Sequence, residues 1–295
     1  MRGFFKAVFY VLLILSLFSI ANSLYRLSRS NSDDDIDSAN IGVIEIEGVI
    51  LDSLPVLDQI HEFKKNSQLK SLVVRINSPG GAVGASQEIY LELKKLRKIR
   101  PVIVSMGDLA ASGGLYVSMG GDIVMALPGT LTGSMGVLME ITNFSRLLEK
   151  IYVDPVTIRS GELKDAGNPT HPIDPRAKKL FQELVSNTFQ TFRETVKKER
   201  KLNKEAVQLL SDGRVVDGTQ ALQLKLVDEL GTFPDAVELA KTKGKISGEP
   251  KLAYLSRKPK PFLERLVQGA ISPVTEMIMK RENAILQYRW DPRSK

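Results

Sequence analysis

The sequence predicts an α/β fold built on a largely parallel sheet, and three observations carry that reading. Short apolar runs alternate with longer stretches of helical periodicity, the pattern of repeated strand–helix units joined by right-handed crossovers. One junction is drawn sharply: Ser71-Leu-Val-Val-Arg-Ile-Asn77 runs into Ser78-Pro-Gly-Gly81 and then into a helical pattern from Ala82 to Lys98. Finally, 295 residues are enough to bury a proper core in one or two domains.

The elements follow in order. Ile41-Gly-Val-Ile-Glu-Ile-Glu-Gly-Val-Ile50 alternates and reads as the first strand. Further strands are expected over 71–77, 101–106, 122–127 and 152–158, with helices near 55–65, 82–98, 112–120 and 143–150. From Asp174 to Lys201, Leu180, Leu184, Thr188, Phe192 and Val196 recur at helical spacing. Asp174 is the expected cap of that helix and Pro175 its first residue; its stripe suits core or a subunit interface. Val216-Asp-Gly-Thr followed by Ala221-Leu-Gln-Leu reads as a turn and a short helix.

The ends differ from the body. Residues 1–30 carry +4, residues 251–295 carry +6, and the stretch between carries −3 of the total +7. No aromatic-studded basic groove accompanies this charge, which argues against nucleic acid. After Arg2 and Lys6 the chain is uncharged from Ala7 to Tyr25, a helix of about 28 Å, close to the hydrocarbon core of a bilayer. The reading adopted is a transmembrane anchor spanning 1–27 with its N-terminus in the cytoplasm; Ala21-Asn-Ser23 keeps open a cleaved signal peptide. Residues 28–40 form a polar linker, 41–250 the body and 251–295 a basic tail broken by Arg257-Lys-Pro-Lys-Pro261. Packing on a subunit, contact with anionic lipid and loose order all remain open for the tail.

Composition narrows the chemistry. With no cysteine, a cysteine peptidase and a thiolate metal site are excluded. The two histidines, His61 in an amphipathic stretch and His171 in Asn-Pro-Thr-His-Pro, have no partner at metal-ligand spacing and offer little material for a Ser-His-Asp triad. Two other side chains suggest a different pairing: Ser112, set between small residues, and Lys164, 52 positions later. A lysine can act as base once burial has removed its proton. At an ordinary pKa near 10.4 only about one in 2,500 is neutral at pH 7, so a shift of about three units, roughly 4 kcal/mol of desolvation, is needed. Lys164 would then face a dry cleft, away from Asp165. Taken singly, Lys164 also reads as a surface lysine and Ser112 as a helix N-cap. The Gly-Gly turn at 80–81 offers free backbone N–H groups able to stabilise an oxyanion, and its spacing fits neither common phosphate-binding motif.

Four segments complete the pattern: Ile76-Asn-Ser-Pro-Gly-Gly81, Asp108-Leu-Ala-Ala-Ser-Gly-Gly114, Leu131-Thr-Gly-Ser-Met-Gly-Val137 and Arg159-Ser-Gly-Glu-Leu-Lys-Asp165. Together, and in this order, they resemble the signal peptide peptidase A (SppA) family of serine peptidases over about residues 41 to 240. The resemblance implies a ClpP/crotonase-like fold of stacked ββα units. It makes Ser112 the nucleophile, Lys164 the general base, Gly81 and Gly113 the oxyanion donors, and Ser134 the hydroxyl that orients the lysine. It implies a homo-oligomeric ring, in which Ser112 of one chain would meet Lys164 of the next, and it requires no metal or cofactor. Signal peptides and other short or unfolded chains would be the substrates, cut on the outer side of a bacterial inner membrane. A ClpP-type histidine about 25 residues after the serine is absent, Val137 standing there. A membrane scaffold or chaperone-like protein without catalysis, or more remotely an acyl-CoA enzyme, would share the fold.

Overall fold

In a computed structural model of the chain, residues 38–255 and 287–289 are described. The expected anchor, Ala7 to Tyr25, lies outside them; among the described residues no helix is long and apolar enough to cross a membrane.

The first strand, β1 (Ile41–Glu47), is followed by helix α1 (Leu54–Lys65), strands β2 (Ser71–Ser78) and β3 (Gly80–Ala82), and helix α2 (Val83–Leu96). Strand β4 (Val102–Ala111) leads directly into the short helix α3 (Gly113–Ser118). Then come β5 (Ile123–Ala126), β6 (Leu131–Gly133), α4 (Ser145–Lys150) and the long α5 (Pro175–Arg200). The described chain closes with α6 (Lys204–Leu210), β7 (Val215–Asp217), α7 (Gly218–Gln223), β8 (Glu229–Leu230), α8 (Phe233–Lys243), β9 (Leu252–Tyr254) and β10 (Gln287–Arg289).

The main sheet has the order β7-β6-β4-β2-β1-β9, with β5 on β4 and β8 on β5. Every pair in it is parallel except β6 with β7. Alternation along each strand divides two layers of core. Ile41, Val43, Val73, Ile103 and Met125 face α8, meeting Ala236, Val237 and Ala240. Ile44, Ile46, Leu72, Val74, Ile76, Val102 and Val104 face the opposite layer, where α1, α2, α3 and α5 contribute Phe63, Ile89, Leu115 and Phe192. Coverage on both sides is why these strands read as nearly unbroken apolar runs.

Residues 152–158 were expected as a strand but are not one. Val156 is 83% exposed and Ile158 96% exposed, so among the described residues nothing buries the apolar side chains that suggested a strand. Helix α5 matches its expectation closely: the Asp174 side chain accepts a hydrogen bond from the Arg176 N–H, with Pro175 at the first position. Its stripe is buried only in part, with Phe192 and Val196 enclosed and Leu184 exposed.

Candidate active site

The site forms where β4 ends. This strand is long enough to pair with β5 through Ile103–Ser105 and with β6 through Leu109–Ala111. Its pairing with β2 slips between Ile76 and Ser78, and the Asn77 side chain fills the irregularity by accepting from the Leu109 N–H at 3.2 Å. The chain then turns at Ser112, with φ 54° and ψ −112°, before α3 begins at Gly113. A non-glycine residue rarely adopts positive φ, and such strain gathers at functional sites. Ser112 occupies the N-cap position but makes no capping hydrogen bond, so its hydroxyl is not engaged in closing the helix. Its backbone is fixed from both sides: the Ser112 N–H donates to Gly133 O at 2.9 Å, and the Ser112 carbonyl accepts from the Tyr116 N–H at 2.9 Å. Tyr116 wedges α3 in place, edge-on to Tyr90 of α2 and Phe192 of α5 at 5.2 and 5.0 Å.

The oxyanion candidates converge on this turn. Gly80 O accepts from the Ile50 N–H and the Ala82 N–H donates to Ile50 O, at 2.9 and 2.7 Å. Strand alternation therefore turns the Gly81 N–H and carbonyl to the opposite edge of β3. A Cβ on Gly81 would lie 2.0 Å from Ile50 O, so only glycine fits there. Gly113 abuts it: a Cβ on Gly113 would lie 3.0 Å from Gly80 Cα and 3.0 Å from Gly81 N. Because Gly113 opens α3, its N–H has no acceptor within the helix. The Ser78 hydroxyl braces the turn, donating to Gly48 O at 2.6 Å and accepting from the Gly80 N–H at 3.0 Å.

Ser134 follows Gly133, the residue whose carbonyl holds Ser112. It is 8% exposed, has φ 50°, and its N–H donates to Arg214 O at 2.7 Å. Ser112, Gly81, Gly113 and Ser134 are thus brought together at the C-terminal ends of β4 and β6. Lys164 is not brought to them within one chain. It sits in an exposed turn, its N–H donating to Gly161 O, and among the described residues no hydrogen bond joins it to Ser112 or Ser134. Its neighbour Asp165 is paired with Arg159, and that hydrogen bond holds the Asp165 carboxyl below its ordinary range. The carboxylate that would oppose a neutral lysine is therefore already matched. His61 is exposed on α1, and the His171 ring reaches Thr157 at 3.4 Å, so neither belongs to the site. Among the described residues no three acidic or histidine side chains gather at metal-binding range.

Sequence reasoning missed β3 and the strand on its second edge. Strand β10 lies antiparallel along it, with Gln287 opposite Ala82, Tyr288 opposite Gly81 and Arg289 opposite Gly80. Three residues are too few to show a period, which is why neither strand was anticipated.

A serine at a strained strand-to-helix turn, backed by two glycines beside a strand edge that takes an extended partner, is the layout of a serine hydrolase. Comparison with known proteins gives the class its family. Residues 94–247 match Peptidase family S49, and residues 43–132 match Clp protease. A protein of Synechocystis sp. named as a candidate protease is 39% identical over 234 residues, 78% of this chain and 83% of its own. A candidate signal peptide peptidase SppA of Enterococcus faecium is 37% identical over 199 residues, 67% of this chain and 58% of that one. The chloroplastic serine protease SPPA of Arabidopsis thaliana is 32% identical over 236 residues, 79% of this chain and 35% of that one. The chain belongs to peptidase family S49, as an SppA-like serine peptidase with a ClpP-like α/β fold. It spans well under two thirds of the Enterococcus and Arabidopsis relatives.

Proposed function

We propose that the protein is a membrane-anchored serine endopeptidase that cuts short or unfolded chains, remnant signal peptides among them. Ser112 is the nucleophile, and Lys164 of a neighbouring subunit is its base. The observation that carries this reading is the strained, uncapped Ser112 lying against Gly113 and Gly81, beside the edge of β3 along which β10 lies.

A peptide lying antiparallel on that edge in place of β10 gains main-chain hydrogen bonds without demanding one sequence. Ser112 Oγ attacks its carbonyl carbon as Lys164 Nζ takes the hydroxyl proton. The negative charge gathers on the carbonyl oxygen between the Gly81 and Gly113 N–H groups. Collapse breaks the C–N bond, Lys164 returns the proton to the departing amine, and the acyl-enzyme ester remains. Water, deprotonated by the same lysine, releases the acid and restores the Ser112 hydroxyl.

Two observations support a base from a second chain. Within one chain Lys164 is exposed, whereas a neutral lysine requires burial. The arm that carries it also exposes Leu147, Ile151, Val156 and Ile158, surface that a second copy would cover. Ser134 is placed to hold the incoming amine. The anchor would put the site on the outer side of the bacterial inner membrane.

The test uses the full chain in detergent as wild type, Ser112→Ala and Lys164→Ala. A fluorophosphonate should label the wild type alone, and both variants should fail to cut a signal peptide. The two variants unfolded, mixed and refolded together should recover about a quarter of the sites. An unlabelled wild type would leave a non-catalytic scaffold. Mixed rings that form but stay inactive would place the dyad within one chain.

A further inference from the structure

One polar group beside the oxyanion crevice has no role in the reaction described above. Ser86 lies in the first turns of α2, on the face it shares with the buried residues Ile89, Tyr90 and Leu93. It is fully enclosed, at 0% exposure, and its Oγ has no hydrogen-bond partner among the described residues. A helical serine commonly returns its hydroxyl to the carbonyl one turn back, and this one does not.

Its place gives the orphaned hydroxyl a meaning. A Cβ built on Gly113 would lie 2.7 Å from Ser86 Oγ and 3.0 Å from Gly81 N. The hydroxyl therefore rests against the backbone of the residue that follows the nucleophile, beside the amide expected to share the oxyanion with it. Among the described residues the other unpaired buried hydroxyl is Ser71 Oγ, which begins β2 at the end of that strand away from Ser78 and the Ser112 turn.

We propose that Ser86 is a positioning residue of the oxyanion crevice. Its hydroxyl backs Gly113 so that the Gly113 and Gly81 N–H groups stay aimed at one point. Unpaired at rest, it turns its O–H dipole toward the charge that develops there. Such fixed dipoles act on charge present only in the transition state, and enclosure away from water strengthens them. The inference rests on the assignment of Ser112, Gly81 and Gly113 made above.

A dipole that acts only on transition-state charge changes kcat and leaves KM nearly unchanged. Full-length wild type, Ser86→Ala, Ser86→Cys and Ser112→Ala would be compared on one fluorogenic peptide, with a melting curve for each. Ser86→Ala should lower kcat by roughly tenfold or more with KM within about twofold. Its melting temperature should hold or rise, because alanine removes an unpaired buried polar atom. Ser86→Cys keeps the shape but is a poor donor, and should behave like Ser86→Ala. Wild-type kcat in Ser86→Ala, full recovery in Ser86→Cys, or a kcat loss that tracks a falling melting temperature would each overturn the proposal, the last two by showing that packing alone matters. An inactive wild type, or an active Ser112→Ala, would overturn the underlying site assignment instead.

Discussion

At Ser112 the backbone holds a conformation that suits glycine better than serine. Relieving it should be measurable. Ser112→Gly is expected to be inactive yet more stable than Ser112→Ala by about 1 kcal/mol in urea unfolding, the lower end of the usual cost of such strain. The neighbouring glycine has the reverse requirement. In Gly113→Ala the new methyl meets Ser86 Oγ at 2.7 Å and the Gly80–Gly81 backbone at 3.0 Å, so the two amides separate. A loss of kcat of about 100-fold is expected on a peptide substrate, with the fold retained by circular dichroism. Ser112 and the Gly80–Gly81 turn stood out as small residues where the chain turns, whereas Gly113 and Ser134 were named only through the resemblance to the SppA family. Lys164 was named from its motif, and among the described residues its side chain is left exposed. Ser86 gave one faint signal, a serine on an otherwise apolar helix face, which reads as a small core residue until its missing partner is seen.

Helix α5 is locked to α2 by a polar hub. Glu199 accepts from Lys94 Nζ at 2.6 Å, the Tyr90 hydroxyl at 2.8 Å and Arg97 at 2.5 Å. Burial pushes its carboxyl up, but hydrogen bonds from Lys94, Arg97 and Tyr90 outweigh that and draw the pKa down to about 2. The folded value lies below the ordinary 4.5. The stabilisation, roughly 3 kcal/mol, is therefore complete above that ordinary value and fades as pH falls toward 2. Glu199→Gln should lower stability by roughly 3 kcal/mol at neutral pH and flatten its acid dependence, as read from urea unfolding at several pH values. At β3, strand β10 occupies the edge on which the proposed substrate would lie. A tethered strand competes at an effective concentration near millimolar. Tyr288→Pro, which removes the N–H opposite Gly81, should raise the rate on added peptide several-fold in a steady-state assay; an unchanged rate would mean that β10 is no obstacle. Long periodic elements such as α2 and α5 were readable from sequence, whereas β6 to β10, of two or three residues each, carry no period and exist only through their partners.

For the whole molecule, the proposed assembly joins the exposed arm of one copy to the buried Ser112 of another. If a second copy covers Val156, then Val156→Asp places a charge in that contact. It should reduce the assembled mass in sedimentation and the peptidase rate together, with the melting curve of the subunit little changed. Loss of mass with full activity would separate assembly from catalysis. The parallel sheet follows from alternation of strand and helix, and that was plain in the chain; assembly depends on surfaces whose partner is another molecule.

The pairing of β9 with β1 also fixes an order of events in biogenesis. Ile41 registers with Leu252, and the Asn40 side chain accepts from the Lys251 N–H, 211 positions along the chain. A growing polypeptide cannot close this side of its sheet until nearly the whole domain has been synthesised. Until then β1 presents an apolar strand with an open edge, and such long-range closure is slow. The last strand of the main sheet to emerge seals the first, so completion of that sheet and protection of the edge of β1 are the same step.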